Sequence, residues 1–154
     1  MKKSAGLLLF KKSKEGLLYF LVHPGGPFWK NKDLGSWSIP KGEMSDDEDA
    51  LERAKIEFQE ETGQEIAGEF IPLSAIQQKG GKIVYAWAVE GDVDLSSLSS
   101  NTFDLEWPPK SGKILQVPEV DQWKWFTLNE AKSKINPAQV SFLLEVQKLL
   151  ESNI

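Results

Sequence analysis

Residues 45–63 restrict the fold more than any other stretch, because they specify both ends and the buried face of one helix. Ser45 followed three residues later by Glu48 has the spacing of a capping box, and Asp46 and Asp47 add negative charge where a helix dipole favours it. Leu51, Ala54 and Phe58 fall at i, i+3 and i+7, a stripe that faces a core, and Gly63 supplies a left-handed stop. The pattern predicts a helix over Asp46–Thr62.

The surface for that stripe comes from strands. Ser4–Lys11 and Leu17–His23 are apolar, β-rich runs separated by polar residues, which predicts a hairpin of central strands. Pro24–Gly35 is a loop carrying Phe28 and Trp29, and Trp37–Ile39 has room for a short strand before Pro40. Glu65–Ile76 reads as extended despite Pro72, and Lys82–Val89 as a strand buried on both faces. Asp92–Gly112 holds five serines, two prolines and an acidic-aromatic patch around Phe103, Glu106 and Trp107, and reads as a long loop that covers a site. Gln122–Phe126 is a short aromatic strand. Thr127 with Glu130 caps a helix running to Ile135, and Pro137 opens a last amphipathic helix through Val140, Leu143, Leu144 and Leu150. With no repeat and no linker, residues 1–154 read as a single domain.

Composition removes most chemistries. There is no Cys, so disulfides, thiolate metal centres and a cysteine nucleophile are excluded, and a reducing cytoplasmic location is expected. His23 is the only histidine, which excludes any multi-His metal centre. The net charge of −5 argues against a polymeric nucleic acid partner, and no apolar run approaches a membrane span. An anionic substrate would need a cation to mediate its binding.

Glu57, Glu60 and Glu61 lie at i, i+3 and i+4, so three carboxylates project from one side of the helix within about one turn. Such a cluster is kept either as a solvated face or by bridging cations, and hard oxygen ligands suit Mg²⁺ or Mn²⁺. A calcium-loop reading lacks the alternating Asp/Asn ligands it needs. The surroundings favour the metal: Gly42, Glu48, Glu57, Phe58, Glu60, Glu61 and Gly63, in GEMSDDEDALERAKIEFQEETGQ, match the glycine-to-apolar signature of the Nudix box. The chain thus resembles the Nudix hydrolases over nearly its whole length. HPGGPFW, WSIPKGE and EWPPKSG resemble a bacterial subgroup of predicted NTP pyrophosphohydrolases, and PKGEMSDDEDALERA is similar to the dinucleoside tetraphosphate hydrolases.

The resemblance implies an α/β/α sandwich with a mixed sheet and a Mg²⁺-dependent pyrophosphohydrolase, with Mn²⁺ as a substitute metal. Its substrate would be a small anionic nucleotide, an NTP or a dinucleoside polyphosphate; the alternative is a silent domain that binds nucleotides as a regulator. Glu57, Glu60 and Glu61 would hold the metal, with the Lys41 carbonyl and Gly42 contributing from the loop that enters the helix. Glu119 stands where several Nudix groups place a general base, and Glu106 is its rival. Glu48 completes both the capping box and the signature. Two positions depart from the family: Ile56 replaces its Arg and Gln64 its apolar residue. Arg53, the only Arg in the chain, lies about 40° from Glu57 and 20° from Glu60 on a helix, so it is either the substitute for that Arg or a plain surface residue. Lys41, His23, Trp29 and Trp107 complete the candidates, as substrate-binding residues.

Overall fold

The computed structural model describes residues 2–151. Strands β1 (Lys3–Ser13) and β2 (Gly16–Pro24) form the expected hairpin, followed by β3 (Lys41–Met44) and helix α1 (Ala50–Thr62). Two-residue strands β4 (Ile71–Pro72) and β5 (Ile76–Gln77) precede β6 (Ile83–Glu90). A hairpin of β7 (Thr102–Glu106) and β8 (Ile114–Pro118) leads into β9 (Val120–Thr127), α2 (Leu128–Lys134) and α3 (Val140–Glu151). The main sheet runs β4-β6-β1-β2-β9, with β3 also paired to β1 and β5 to β6; β1 and β6 are parallel and the other pairs antiparallel.

Side-chain alternation along β1 and β2 makes two cores, because successive residues point to opposite faces of a strand. Ala5, Leu7, Leu9, Phe20 and Val22 pack with Ala54 and Phe58 of α1. Leu8, Phe10, Tyr19 and Leu21 pack on the other face with Ala131 of α2 and Phe142, Leu143 and Val146 of α3. The result is an α/β/α sandwich with a mixed sheet, as the resemblance implied.

One edge of β1 is shared. Its C-terminal half pairs with β2 (Phe10 opposite Tyr19), and its N-terminal half pairs with β3 (Gly6 opposite Lys41). Where β2 leaves β1, the segment before β3 enters the gap: Leu7 N–H donates to the Pro40 carbonyl at 3.1 Å, and Val22 and Ser38 exchange two backbone bonds of 2.9 Å. The crossing is so close that a Cβ at Gly6 would lie 2.5 Å from the Pro40 carbonyl oxygen. The cleft opens at this divergence.

Several expectations are corrected. Trp37–Ile39 forms two isolated bridges, and the strand lies further on, at Lys41–Met44, so Lys41 and Gly42 sit in β3 and not in a loop. The helix starts at Ala50, capped by Asp49, whose carboxylate accepts from Glu52 N–H at 3.0 Å. It starts later than predicted because Met44 is still paired with Lys3, and residues 45–49 are needed to turn the chain off the sheet. The Ser45–Glu48 bond forms at 2.9 Å within that turn, ahead of the helix. Only one face of β6 is fully buried, through Val84, Ala86 and Ala88. Asp92–Gly112 contains β7 and the 3₁₀ turn Leu95–Ser97 instead of being wholly loop. Thr127 and Glu130 do form both bonds of a capping box.

Burial on α1 separates neighbouring apolar residues. Phe58 is enclosed against Phe20, whereas Ile56 is 42% exposed. Phe58→Ala is expected to destabilise the fold by about 3–5 kcal/mol and Ile56→Ala by less than ~0.5 kcal/mol, read from denaturant midpoints. Equal losses would mean that α1 does not pack by the Phe58 face.

Candidate active site

A cleft of about 480 Å³ lies where β2 and β3 diverge. Its acidic end is made by Glu57 and Glu61 of α1, Glu119 between β8 and β9, and Lys41 and Gly42 of β3. Glu57 and Glu61 are only 9% and 6% exposed. Glu57 lies directly over Gly42, where any Cβ would overlap its carboxylate, so glycine is required here for close approach.

The last turn of α1 is held by its backbone. The carbonyls of Gln59, Glu60, Glu61 and Thr62 have no partners within the helix. They accept from Gly63 N–H (2.7 Å), Asn101 N–H (2.8 Å), the Trp123 indole N–H (2.7 Å) and Ser99 N–H (2.9 Å). Gly63 takes φ 76°, which only glycine adopts freely. Asn101 also accepts from Glu119 N–H at 2.8 Å, and Gly25 N–H donates to the Glu119 carbonyl at 3.0 Å. One residue therefore ties the base candidate to the helix bearing the carboxylates.

This arrangement is electrostatically adverse. Both carboxylates sit toward the negative end of the helix dipole, and the last turn contains no basic residue. Burial, then the neighbouring Glu60 carboxyl and Glu119, pushes Glu57 up to about 7, with Arg53 opposing. Burial, then Glu57 and Glu119, pushes Glu61 well above the ordinary carboxylate range, against the Lys41 ammonium and N–H. Glu119 is raised by burial and by Glu60. Burial and Lys82 lower Lys41. Glu57 Oε2 is buried without a hydrogen-bond partner.

An all-oxygen donor set with an orphaned buried oxygen fits a hard divalent cation, not a thiolate or imidazole metal. Among the described residues no three such side chains are drawn into a closed ligand cluster, so the carboxylates border a common cleft without forming a cage.

The remaining candidates are divided. Trp29 lines the cleft, while Glu60 sits beside it and acts on Glu57 and Glu119 through its charge. Arg53 does not bond the cleft carboxylates; its Nε and Nη2 both donate to Glu48 Oε2, at 2.8 and 2.5 Å. Glu48 is left free for that pairing because it precedes the helix. His23 lies outside the cleft, 1% exposed, with Nδ1 2.7 Å from Asp121 Oδ1 and Nε2 2.6 Å from the Lys32 carbonyl. Trp107 lies at the end of the β7–β8 hairpin, away from the cleft lining, and bonds the Lys113 carbonyl through its N–H. Glu106 accepts from Lys110 and Gly112 N–H in that same turn. Sequence reasoning missed Gln78 and Gln139, which also line the cleft, and did not assign Phe103 to it. Phe103 was visible within its aromatic patch; the glutamines carry no local pattern.

Comparison with known proteins shows the fold and the family. The family model described as NUDIX domain matches residues 2–146. No curated protein sequence matches. Among solved structures, the Caenorhabditis elegans Ap4A hydrolase in a binary complex superposes with TM-score 0.65 at 20% identity, covering 97% of this chain and 98% of that one. The NUDIX domain of Shewanella oneidensis NrtR complexed with ADP ribose gives 0.66 at 15% identity, covering 96% and 87%. A mutT/nudix family protein from Listeria innocua gives 0.64 at 17% identity, covering 99% and 95%. With the family model spanning nearly every described element, from β1 into α3, the chain belongs to the Nudix hydrolase family.

Proposed function

We propose that the chain is a Mg²⁺-dependent pyrophosphohydrolase that cleaves the diphosphate of a nucleoside diphosphate linked to another moiety, an NTP or a dinucleoside polyphosphate. The observation that carries this is the burial of Glu57 and Glu61 together at the negative end of α1, with Glu57 Oε2 unpartnered. A fold keeps such a pair when a cation completes it, and a plain binding surface gains nothing from it. The names of two similar structures, with Ap4A and ADP ribose, support a small nucleotide as substrate.

Glu57 and Glu61 would hold the metal, with Glu60 beside them and the backbone of Lys41 and Gly42 behind. A divalent cation held there would supply neutralisation of the diphosphate charge, polarisation of its phosphorus and activation of a water. Glu119 lines the same cleft, and burial raises its carboxyl above the ordinary carboxylate value, which suits a group that takes a proton from water. Lys41 is half-buried and its charge acts on Glu57 and Glu61, so it offsets part of theirs and meets an incoming phosphate. Arg53 acts at one remove, holding Glu48 and the turn before α1.

Glu61→Gln should reduce Mg²⁺-dependent hydrolysis more than ten-fold, over about 1.4 kcal/mol of barrier, with an unchanged circular dichroism spectrum. Retention of more than a tenth of turnover removes Glu61 from the metal site. Glu119→Gln should lower kcat more than it raises KM, and a pure KM effect would assign it to binding instead.

Glu57, Glu61 and Glu119 are all raised in the fold, so between their ordinary value of 4.5 and about 7 the folded chain binds more protons than the unfolded one. Their stabilising contribution is complete below the unfolded value and is lost as pH rises through the folded values. Metal-free protein in EDTA should therefore melt lower at about pH 8 than at about pH 5.5, and Mg²⁺ should recover the loss at the higher pH. A melting temperature that climbs across this interval without metal would contradict the assigned burial.

A further inference from the structure

The part of the cleft wall made by Gln78 and Gln139 carries a hydrogen-bond relay with one allowed polarity. Gln139 is 0% exposed, on the 3₁₀ turn before α3. The Ile39 backbone N–H lies 3.0 Å from one of its amide atoms. A backbone N–H only donates, and Ile39 is fully buried, so that atom must be Oε1. Nε2 then points the other way and has two acceptors to reach, Ser38 Oγ at 3.0 Å and Gln78 at 2.9 Å. Ser38 Oγ is free to accept because its own hydrogen goes to the Ile39 carbonyl at 2.7 Å. The Gln78 atom facing Nε2 must therefore be Oε1.

The Gln78 amide is thus locked with Nε2 turned out, and among the described residues that group bonds no protein atom. Gln78 and Gln139 border the same cleft as Trp29 and Phe103, whose faces suit a flat ring. Resting on the pyrophosphohydrolase reading, we propose that Gln78 is a specificity-determining residue that donates to the base, favouring an oxo group over an amino group, with Gln139 as its positioning residue. An exocyclic oxygen gains a bond there, whereas an amino group sets donor against donor.

The test compares kcat/KM for two nearly isosteric pairs, ITP against ATP and UTP against CTP, with Mg²⁺. The wild type should prefer the oxo member of each pair by about five- to ten-fold, the size of one neutral hydrogen bond at a half-exposed group. Gln78→Met keeps the length, removes the amide and should bring both ratios to near one. Gln78→Glu keeps an acceptor toward Gln139, turns a second one into the cleft and should invert the ratios. Gln139→Glu, presenting an acceptor where Nε2 donated, should turn the Gln78 amide over and shift the ratios in the same direction. Wild-type ratios of one, or ratios unmoved in both Gln78 variants, overturn the assignment while leaving the pyrophosphohydrolase reading intact. If none of the four nucleotides is hydrolysed, the NTP substrate fails and the dinucleoside polyphosphates of that reading remain. The base preference is then read from calorimetric binding of IMP against AMP by wild type and Gln78→Met, where equal affinities in the wild type overturn it.

Discussion

The cleft depends on the last turn of α1, where four backbone carbonyls find partners outside the helix and two carboxylates are buried beside them. Each carbonyl bond is ordinary. Together they fix the helix end against the loop after β6 and against β9, so the position of Glu119 relative to Glu57 and Glu61 is set by backbone, not by flexible side chains. The carboxylates themselves oppose folding, through burial, mutual repulsion and the helix dipole. Hydrophobic packing of Ala54 and Phe58 one to two turns earlier holds the helix in place against that opposition.

The second constraint is the shared edge of β1. A strand edge pairs with one neighbour at each point, so β2 must leave before β3 can join. The chain that fills the gap, residues 36–40, brings Ser38 and the buried Ile39 N–H to the cleft wall, and that N–H orients Gln139 and through it Gln78. The same divergence therefore creates the acidic end, by placing Gly42 under Glu57, and the amide end, by burying a backbone donor that needs a partner.

Much of this was legible beforehand. The alternation of β1 and β2, the C-terminal end of α1 and the capping box of α2 follow from local chemistry, and local chemistry decided them. Ser45–Glu48 was legible as a hydrogen-bond pair but not as a helix start, because the pairing of Met44 with Lys3 delays the turn. Arg53 has the right helical angle to reach Glu57 and Glu60, yet its guanidinium takes Glu48, since the late helix start leaves that carboxylate beside it. His23 stands just before the glycine-rich Pro24-Gly25-Gly26 but ends inside the protein between Asp121 and the Lys32 carbonyl.

The sequence by itself determined which residues carry charge along one face of α1, where that helix ends, and the glycine at position 42, because helical spacing, capping and the family signature are local patterns. Only the tertiary structure decided that Glu57 and Glu61 are buried while Glu60 is half-exposed, that Glu119 lines the same cleft, and that Gln139 and Gln78 also line it. Those facts join residues from 58 to 100 positions apart, such as Glu61 and Glu119 or Ile39 and Gln139, and depend on how the strands diverge. Backbone hydrogen bonds that must be satisfied on burial settle that divergence, and their demand is invisible until the chain has packed.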